Sequence, residues 1–322
     1  MPNRIKLTVS HAPFWHDGSN VTTKQYNIIA ATLIAVIAGL FQYGMPALAV
    51  LTLSVGSAMA WEFLMNLLMR RQVSIGDGNA ALIGLLFGML LPAIVPWWVI
   101  IVGTLVAVII GKQIYGGIGG NPFNPVVVAY AILLISWPLY LDFNAALVDY
   151  SFEFDAAYPL VLYKSYGTGG LESFSAMDLL LGRQSGGIGT TFGLGIILGG
   201  IYLIARGFIR WEIPVAFLAG MSVTALCFSL YNPELYAGPL FHILTGYTLI
   251  GAFFLATEDS SSPVNFVPML IYGALGGFLT VLIRNFGAHV DGVIYAILIM
   301  NLVHPLIQKI RPKAMGRIMH HA

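Results

Sequence analysis

Apolar residues are grouped into long uncharged stretches, separated by short segments rich in charge, glycine and proline. None of the stretches shows the strict alternation of a β-barrel strand, and most approach the roughly 20 residues of a membrane-spanning helix. The pattern predicts about ten such helices, over residues 25–43, 46–69, 78–95, 97–111, 123–141, 191–205, 213–231, 239–257, 264–283 and 292–308. The fourth and sixth are short for a full crossing and need flanking residues to extend them.

One long polar connection, residues 142–190, divides the predicted helices into two groups of five. The chain therefore has a first half at 25–141 and a second half at 191–308, with an N-terminal segment 1–24 and a basic tail 309–322. Because five is odd, a duplicated half would insert with inverted topology. The predicted fold class is an all-α integral membrane protein of about ten transmembrane helices in two inverted five-helix halves.

Composition removes the main alternatives to a membrane protein. Hydrophobic residues make up 58% of the 322 residues and charged residues only 9%, whereas an ordinary soluble domain carries about 25% charged residues. The net charge of +1 argues against a nucleic-acid partner. The single cysteine excludes a disulfide framework or an iron–sulfur cluster held by this chain alone, and no cluster of metal ligands is apparent. The solvent that remains is the lipid bilayer.

Basic residues indicate the orientation of the helices. If residues 1–24 are cytoplasmic, only Lys164, Arg183 and Arg284 of the 15 basic residues lie on the outer side. That asymmetry follows the positive-inside rule. We therefore expect both termini in the cytoplasm and the 142–190 loop on the outer, periplasmic side. The polar segment 1–24 does not resemble a secretory signal.

A glycine-rich segment precedes the sixth predicted helix. Gly187 and Gly189 stand before Thr190 and Thr191, a pattern typical of a flexible turn that opens into a helix with a threonine near its N-cap. Backbone N–H groups at such a start favour a phosphate group. The alternative is an ordinary helix cap.

Three further polar segments lie on the predicted cytoplasmic side. Asn121 and Asn124 each precede a proline and predict a rigid re-entrant turn lining a polar cavity, or a plain tight connection. Asp77 precedes the third helix as a cap, or as a group facing a cofactor or ion path. Glu258 and Asp259 form either a solvated turn or the counterpart of the Asn-Pro loop.

Few ionisable residues lie inside the predicted helices. Glu62 is either interfacial or directed into the bundle interior, and both Glu62 and Asp77 are candidates for ion coupling. His242 and His304, near helix ends, are interpreted as satisfied interfacial histidines. No series of intramembrane carboxylates marks a self-contained ion pump.

Together these segments resemble one known family across essentially the whole chain. The resemblance rests on five segments, Asp77 to Leu86, Gly119 to Pro125, Gly187 to Thr191, Ala256 to Asp259, and Asp291 to Val293. They are similar to the RnfD (RsxD) proteins of the Rnf electron-transport complexes, which are homologous to the NqrB proteins of the sodium-translocating NADH:quinone oxidoreductase.

The resemblance implies a flavoprotein. A flavin transferase that uses FAD would attach FMN through a phosphoester to a threonine in a Gly-x-Thr motif, here Thr191, with Thr190 as a competing acceptor. The chain departs from the usual pattern in having Thr190 before the acceptor and Phe192 after it. Gly187 and Gly189 belong to the same site, which the predicted orientation places on the outer side. A second, noncovalent flavin, riboflavin, is expected near Asp77, Asn121 and Asn124.

The resemblance also implies the setting. The chain would be a multi-pass component of the complex in the bacterial inner membrane, beside the RnfA, RnfB, RnfC, RnfE and RnfG proteins, and would not be catalytic alone. The complex passes electrons between reduced ferredoxin and NAD and couples them to Na+ or H+ transport. Two alternatives remain: a purely structural membrane component, or a cofactor-free channel or transporter for a small solute, since the predicted architecture also resembles that of urea transporters.

Overall fold

A computed structural model describes residues 20–144 and 157–310. Most of the predicted N-terminal segment, part of the 142–190 loop and most of the basic tail lie outside these residues. Within the described ranges the chain forms helices, with no β-strand. The main helices are α1 (Val21–Leu68), α2 (Asn79–Leu90), α3 (Trp97–Leu105), α4 (Pro125–Ser136), α5 (Pro159–Tyr166), α6 (Ala176–Leu181), α7 (Gly193–Ala205), α8 (Glu212–Tyr231), α9 (Pro239–Leu244), α10 (Thr248–Ile250), α11 (Phe266–Phe286) and α12 (Val293–Ile307).

Helix α1 is interrupted between the first two predicted spans. Gly44 has φ 65° and ψ −145°, a conformation that favours glycine. Pro46 lies in the first turn of the helix that follows, where the missing backbone N–H of proline breaks no hydrogen bond. Helix α3 continues through a wider π-helical turn, Val106–Ile110. The predicted helix at 78–95 ends earlier than expected, because α2 stops at Leu90 and the chain becomes extended at Leu91.

The predicted single helix over 239–257 is wrong. Helix α9 ends at Leu244, the chain leaves helical geometry, and α10 begins at Thr248 and runs into the π-helical turn Gly251–Leu255. Gly246 in the break has φ 64°, and a Cβ there would overlap the carboxylate of Asp291. Close tertiary packing therefore produces the break.

Four described segments are long and apolar enough to cross a membrane: Val21–Leu68, Trp97–Tyr115, Glu212–Tyr231 and Phe266–Phe286. Four shorter apolar helices accompany them: Asn79–Leu90, Pro125–Ser136, Gly193–Ala205 and Val293–Ile307. Large apolar side chains such as Phe41 and Leu139 are exposed, as expected for a surface that faces lipid. The described fold is that of an all-helical membrane protein, and the count of ten crossings stays a prediction.

Small residues allow the helices to approach closely. A Cβ on Gly220 in α8 would overlap a backbone oxygen in α11, and one on Gly199 in α7 would overlap a backbone oxygen in α1. Such contacts are typical of membrane helices, where association depends on close packing. Contacts of α1 with α7, and of α4 with α12, join the two predicted halves.

Candidate functional site

The glycine-rich segment is held against the C-terminal end of α2. Ile188 N–H donates to Leu91 O at 3.1 Å, and Gly189 N–H donates to Met89 O at 3.0 Å. A Cβ on Gly187 would lie 2.7 Å from two backbone oxygens of α2, and one on Gly189 would lie 2.5 Å from the Met89 side chain. Glycine at both positions is therefore required by close contact.

The two threonines of this segment have different partners. Thr191 Oγ1 donates to Gln42 Oε1 at 3.1 Å, whereas Thr190 Oγ1 donates to Gly187 O within its own turn at 3.1 Å. Both threonines are buried. Thr191 lies next to the N-cap of α7, as expected, but the N-cap residue is Phe192 and no described side chain caps this end. Thr191 therefore lies beside a helix start whose N–H groups have no side-chain acceptor.

The segments predicted on the cytoplasmic side meet at a second place. Asn121 Nδ2 donates to Glu258 Oε1 at 3.1 Å, which brings the Asn-Pro loop and the Glu258 turn together. Asn124 Oδ1 caps α4 by accepting from Val126 N–H at 2.9 Å, and its Nδ2 donates to Leu255 O at 2.9 Å. Both asparagines are buried, and burial raises the pKa of Glu258 above its ordinary value.

These residues line a cavity of about 90 Å³, here called the amide cavity. Its wall combines polar and apolar side chains, including Gln25, Asn79, Lys112, Asn121, Asn124, Glu258, Leu82, Ile83, Leu86, Phe253 and Phe254. Two buried acceptors in that wall, Gln25 Oε1 and Asn79 Oδ1, have no hydrogen-bond partner among the described residues. The cavity thus combines apolar walls with unpartnered amide oxygens, which suit a ligand with an apolar body and a polar edge.

Asp77 lies next to this cavity without lining it. Its Oδ1 accepts from Asn79 N–H at 2.8 Å, which satisfies a donor of the first turn of α2 as the capping interpretation predicts. Burial raises the pKa of Asp77 above its ordinary value. Its expected contact with a cofactor stays a prediction.

Glu62 is directed into the protein interior, so the interfacial alternative is wrong. It is 1% exposed, and the ammonium group of Lys112 lies 2.9 Å from each of its carboxylate oxygens. Ser74 Oγ also donates to Glu62 Oε1 at 2.7 Å. Sequence patterns did not reveal this pair, since its members lie on separate helical segments.

A second buried ion pair lies at the α9–α10 break. Arg284 Nη2 is 2.9 Å from Asp291 Oδ1, and Arg284 also donates to the backbone oxygens of His242 and Thr245 at 2.7 and 3.1 Å. The interpretation of His242 as a satisfied interfacial histidine is wrong: it is fully buried, and neither ring nitrogen has a partner among the residues that the structure describes. His304 is only partly buried, near the end of α12.

The described residues contain no group of three or more His, Cys, Asp or Glu side chains that could hold a metal ion. The polar side chains at the two sites carry hydroxyl, amide, carboxylate and ammonium groups. Such groups can bind or carry a cofactor, and they supply no redox chemistry of their own.

Comparison with known proteins gives one consistent result. Residues 8–316 match the NQR2, RnfD, RnfE family. A curated relative from Acetobacterium woodii, named as the D subunit of a Na(+)-translocating ferredoxin:NAD(+) oxidoreductase complex, is 34% identical over 95% of this chain and 94% of its own. One from Aeromonas salmonicida, named as the D subunit of an ion-translocating oxidoreductase complex, is 34% identical over 96% and 99%. One from Clostridium ljungdahlii, named as the D subunit of a proton-translocating ferredoxin:NAD(+) oxidoreductase complex, is 33% identical over 94% of each chain.

Proposed function

The chain belongs to the NQR2, RnfD, RnfE family, and on that premise we propose that it is the RnfD component of an ion-translocating ferredoxin:NAD+ oxidoreductase (Rnf) complex. Its relatives are named as components of ion-translocating oxidoreductase complexes, so it is one part of a translocase and is not catalytic alone. It relays electrons through covalent FMN and contributes to coupled Na+ or H+ transport. One relative is named sodium-translocating and another proton-translocating at nearly equal identity, so similarity favours neither ion.

The environment of Thr191 supports it as the attachment point of FMN. Gln42 orients the Thr191 hydroxyl through a side-chain hydrogen bond, while Thr190 is bonded within its own turn. The uncapped start of α7 offers N–H groups and the positive end of the helix dipole to a phosphoester at Thr191. These features favour Thr191 over Thr190 as acceptor.

We propose that the amide cavity holds a second, noncovalent flavin, riboflavin. Its apolar walls suit the ring system, and the unpartnered oxygen of either Gln25 or Asn79 suits the single N–H of the ring's pyrimidine edge. The amides of Asn121 and Asn124 hold the loop that closes the cavity. A flavin supplies the one- and two-electron transfer that these side chains lack.

The position of α2 carries the relay proposal. Asn79 at its first residue lines the amide cavity, and Met89 and Leu90 at its last turn contact the glycine-rich segment. At 1.5 Å per residue, the ends of this 12-residue helix are about 16 Å apart. One short helix thus separates the two proposed flavin sites, as a transmembrane electron path requires.

The proposal includes a setting. The chain lies in the bacterial inner membrane with ten spans in two inverted halves, both termini cytoplasmic and the glycine-rich segment on the periplasmic side. The RnfA, RnfB, RnfC, RnfE and RnfG proteins are its partners, and a flavin transferase acts on it during maturation. Ferredoxin and NAD bind to other components of the complex.

Attachment of the flavin tests the proposal. The full chain is expressed with a flavin transferase, denatured, washed free of noncovalent flavin and examined for yellow fluorescence on a gel. Wild-type chain should retain fluorescence and Thr191→Val should lose it, because valine keeps the shape of threonine and removes the hydroxyl. Thr190→Val is the matched control and should retain fluorescence.

The outcomes separate the possibilities. A colourless wild-type chain with an active transferase would overturn the flavin relay and favour a cofactor-free transporter. Fluorescence kept by Thr191→Val and lost by Thr190→Val would move the acceptor by one residue and leave the function unchanged.

A further inference from the structure

Lys112 lines the amide cavity and is paired with the buried carboxylate of Glu62. Lys112 is 2% exposed and Glu62 1% exposed, so both charges are removed from water. Burying two ions costs several kcal/mol each, which their attraction only partly repays. A pair of apolar residues would pack here at lower cost, so stability alone does not account for the charges.

The hydrogen bonds of the pair leave one donor free. An ammonium group has three N–H donors. Both carboxylate oxygens of Glu62 lie 2.9 Å from Lys112 Nζ, and no other acceptor bonds this nitrogen within residues 20–144 and 157–310. Glu62 is itself held by Ser74 Oγ at 2.7 Å, and Ser74 accepts from Asn66 Nδ2 at 2.9 Å. The carboxylate is thus fixed, and it fixes the ammonium group at the cavity wall.

The other free polar atoms of the cavity complement this donor. Gln25 Oε1 and Asn79 Oδ1 are buried acceptors without a partner among the described residues. One cationic donor and either one of the two acceptors match a planar edge on which a carbonyl oxygen lies beside an N–H group. The pyrimidine edge of a flavin has this arrangement, and reduction adds negative charge to that same edge.

We propose that Lys112, held in place by Glu62, donates its remaining hydrogen bond to a carbonyl oxygen of the flavin's pyrimidine edge and raises the reduction potential of that flavin. The proposal rests on the second flavin of the proposed function. Lys112 is a binding residue here, and Glu62 is a positioning residue. The ammonium charge attracts the electron density added on reduction, and the Glu62 carboxylate opposes part of that attraction.

The test uses the purified full chain in detergent, titrated with riboflavin and then reduced stepwise while absorbance is recorded. Lys112→Met should bind riboflavin roughly tenfold more weakly, the size expected for a lost hydrogen bond to a charged group, and should lower its reduction potential. Glu62→Gln should shift the potential in the opposite direction, because it removes the opposing negative charge. A Glu62→Gln, Lys112→Met double variant removes both charges and controls for misfolding caused by one unpaired ion.

Lys164→Met is the matched control. Lys164 is exposed, lies outside the lining of the amide cavity, and donates to the backbone oxygen of His289 at 2.6 Å. Solvent screens such a charge, so the potential should stay near that of the wild type.

Opposite shifts in the two single variants would support the proposal, because a purely structural role would move both in one direction or neither. Unchanged potentials, or shifts of the same sign, would overturn it. Wild-type chain that carries covalent flavin at Thr191 but takes up no riboflavin would overturn this inference together with the second flavin, and would leave the covalent relay standing.

Discussion

Breaking the Arg284–Asp291 pair should lower the free energy of unfolding more than removing an exposed charged side chain does. The guanidinium group is fully buried, and its Nε and Nη2 donate to Asp291 Oδ1 at 3.2 and 2.9 Å. Asp291→Asn leaves a buried cation without its counter-ion, which costs about 3–5 kcal/mol in comparable pairs. The same carboxylate accepts from the Tyr247 and Val293 N–H groups at 2.7 and 3.1 Å, so little of that cost can be recovered by rotation.

Arg284→Met should lower the free energy of unfolding by a similar amount for a different reason. It removes the hydrogen bonds to the backbone oxygens of His242 and Thr245 and to Thr248 Oγ1, each worth about 1 kcal/mol, and it leaves Asp291 unpaired. The Arg284→Met, Asp291→Asn double variant should cost about 4–5 kcal/mol rather than the sum of the two single changes. The coupling free energy is then about 2–5 kcal/mol.

Reversible unfolding in mixed micelles, titrated with SDS and followed by tryptophan fluorescence, measures these free energies. The Arg183–Asp178 pair is the matched control, because its side chains are 62% and 33% exposed at an N···O distance of 3.1 Å. That pair should show little measurable coupling. A coupling free energy at Arg284–Asp291 no larger than at the control pair would refute the view that the buried pair holds the α9–α10 break.

Three smaller predictions follow from other contacts. Gly187→Ala should cost about 1–3 kcal/mol and reduce flavin attachment, because its Cβ meets two backbone oxygens at 2.7 Å, whereas Gly56→Ala meets nothing within 4 Å and should be neutral. Tyr247→Phe should lower the free energy of unfolding more than Tyr130→Phe does in the same assay. The Tyr247 hydroxyl is bonded to the Tyr130 hydroxyl and also donates to Leu90 O at the end of α2, whereas the Tyr130 hydroxyl has only the first of these bonds among the described residues. Equal losses in the two variants would contradict this. Burial raises the pKa of Glu258 in the folded protein. The contribution of the protonated carboxyl group to stability is therefore complete below its ordinary pKa of 4.5, and it is lost as the pH rises through the higher pKa of the folded state. Wild type should therefore lose more stability than Glu258→Gln in thermal unfolding as the pH is raised above 4.5.

Helix positions were predictable because apolar runs are long and their ends are marked by local signals. The Gly44-Met45-Pro46 segment separated two predicted helices, and the structure interrupts α1 at Gly44. The break after Leu244 carried no comparable signal. It depends on Arg284 and Asp291, which lie about 40 residues further along the chain, so periodicity within the helix could not reveal it.

The candidate sites were predictable only in part for a related reason. Glycine and Asn-Pro motifs are local, and they identified the glycine-rich segment and one wall of the amide cavity. The 15 basic residues served in the sequence analysis as indicators of orientation, yet two of them, Lys112 and Arg284, are buried against carboxylates. Partners of a buried charge come from other helices, and a single sequence contains no local trace of that pairing.

The segment Thr248 to Leu255 is held at both ends by residues that also begin other helices. Asp291 accepts from Tyr247 N–H at its start and from Val293 N–H at the start of α12, while Asn124 donates to Leu255 O at its end and caps α4. The chemistry matches the polarity of a helix, since a carboxylate favours the positive N-terminal end and an amide donor satisfies a free carbonyl at the other. Asn124 lies at the N-cap of α4 and Asp291 lies two residues before the first residue of α12. The residues that start these two helices therefore also hold the broken helix from opposite ends, with an acidic group at its N-terminal end and an amide donor at its C-terminal end.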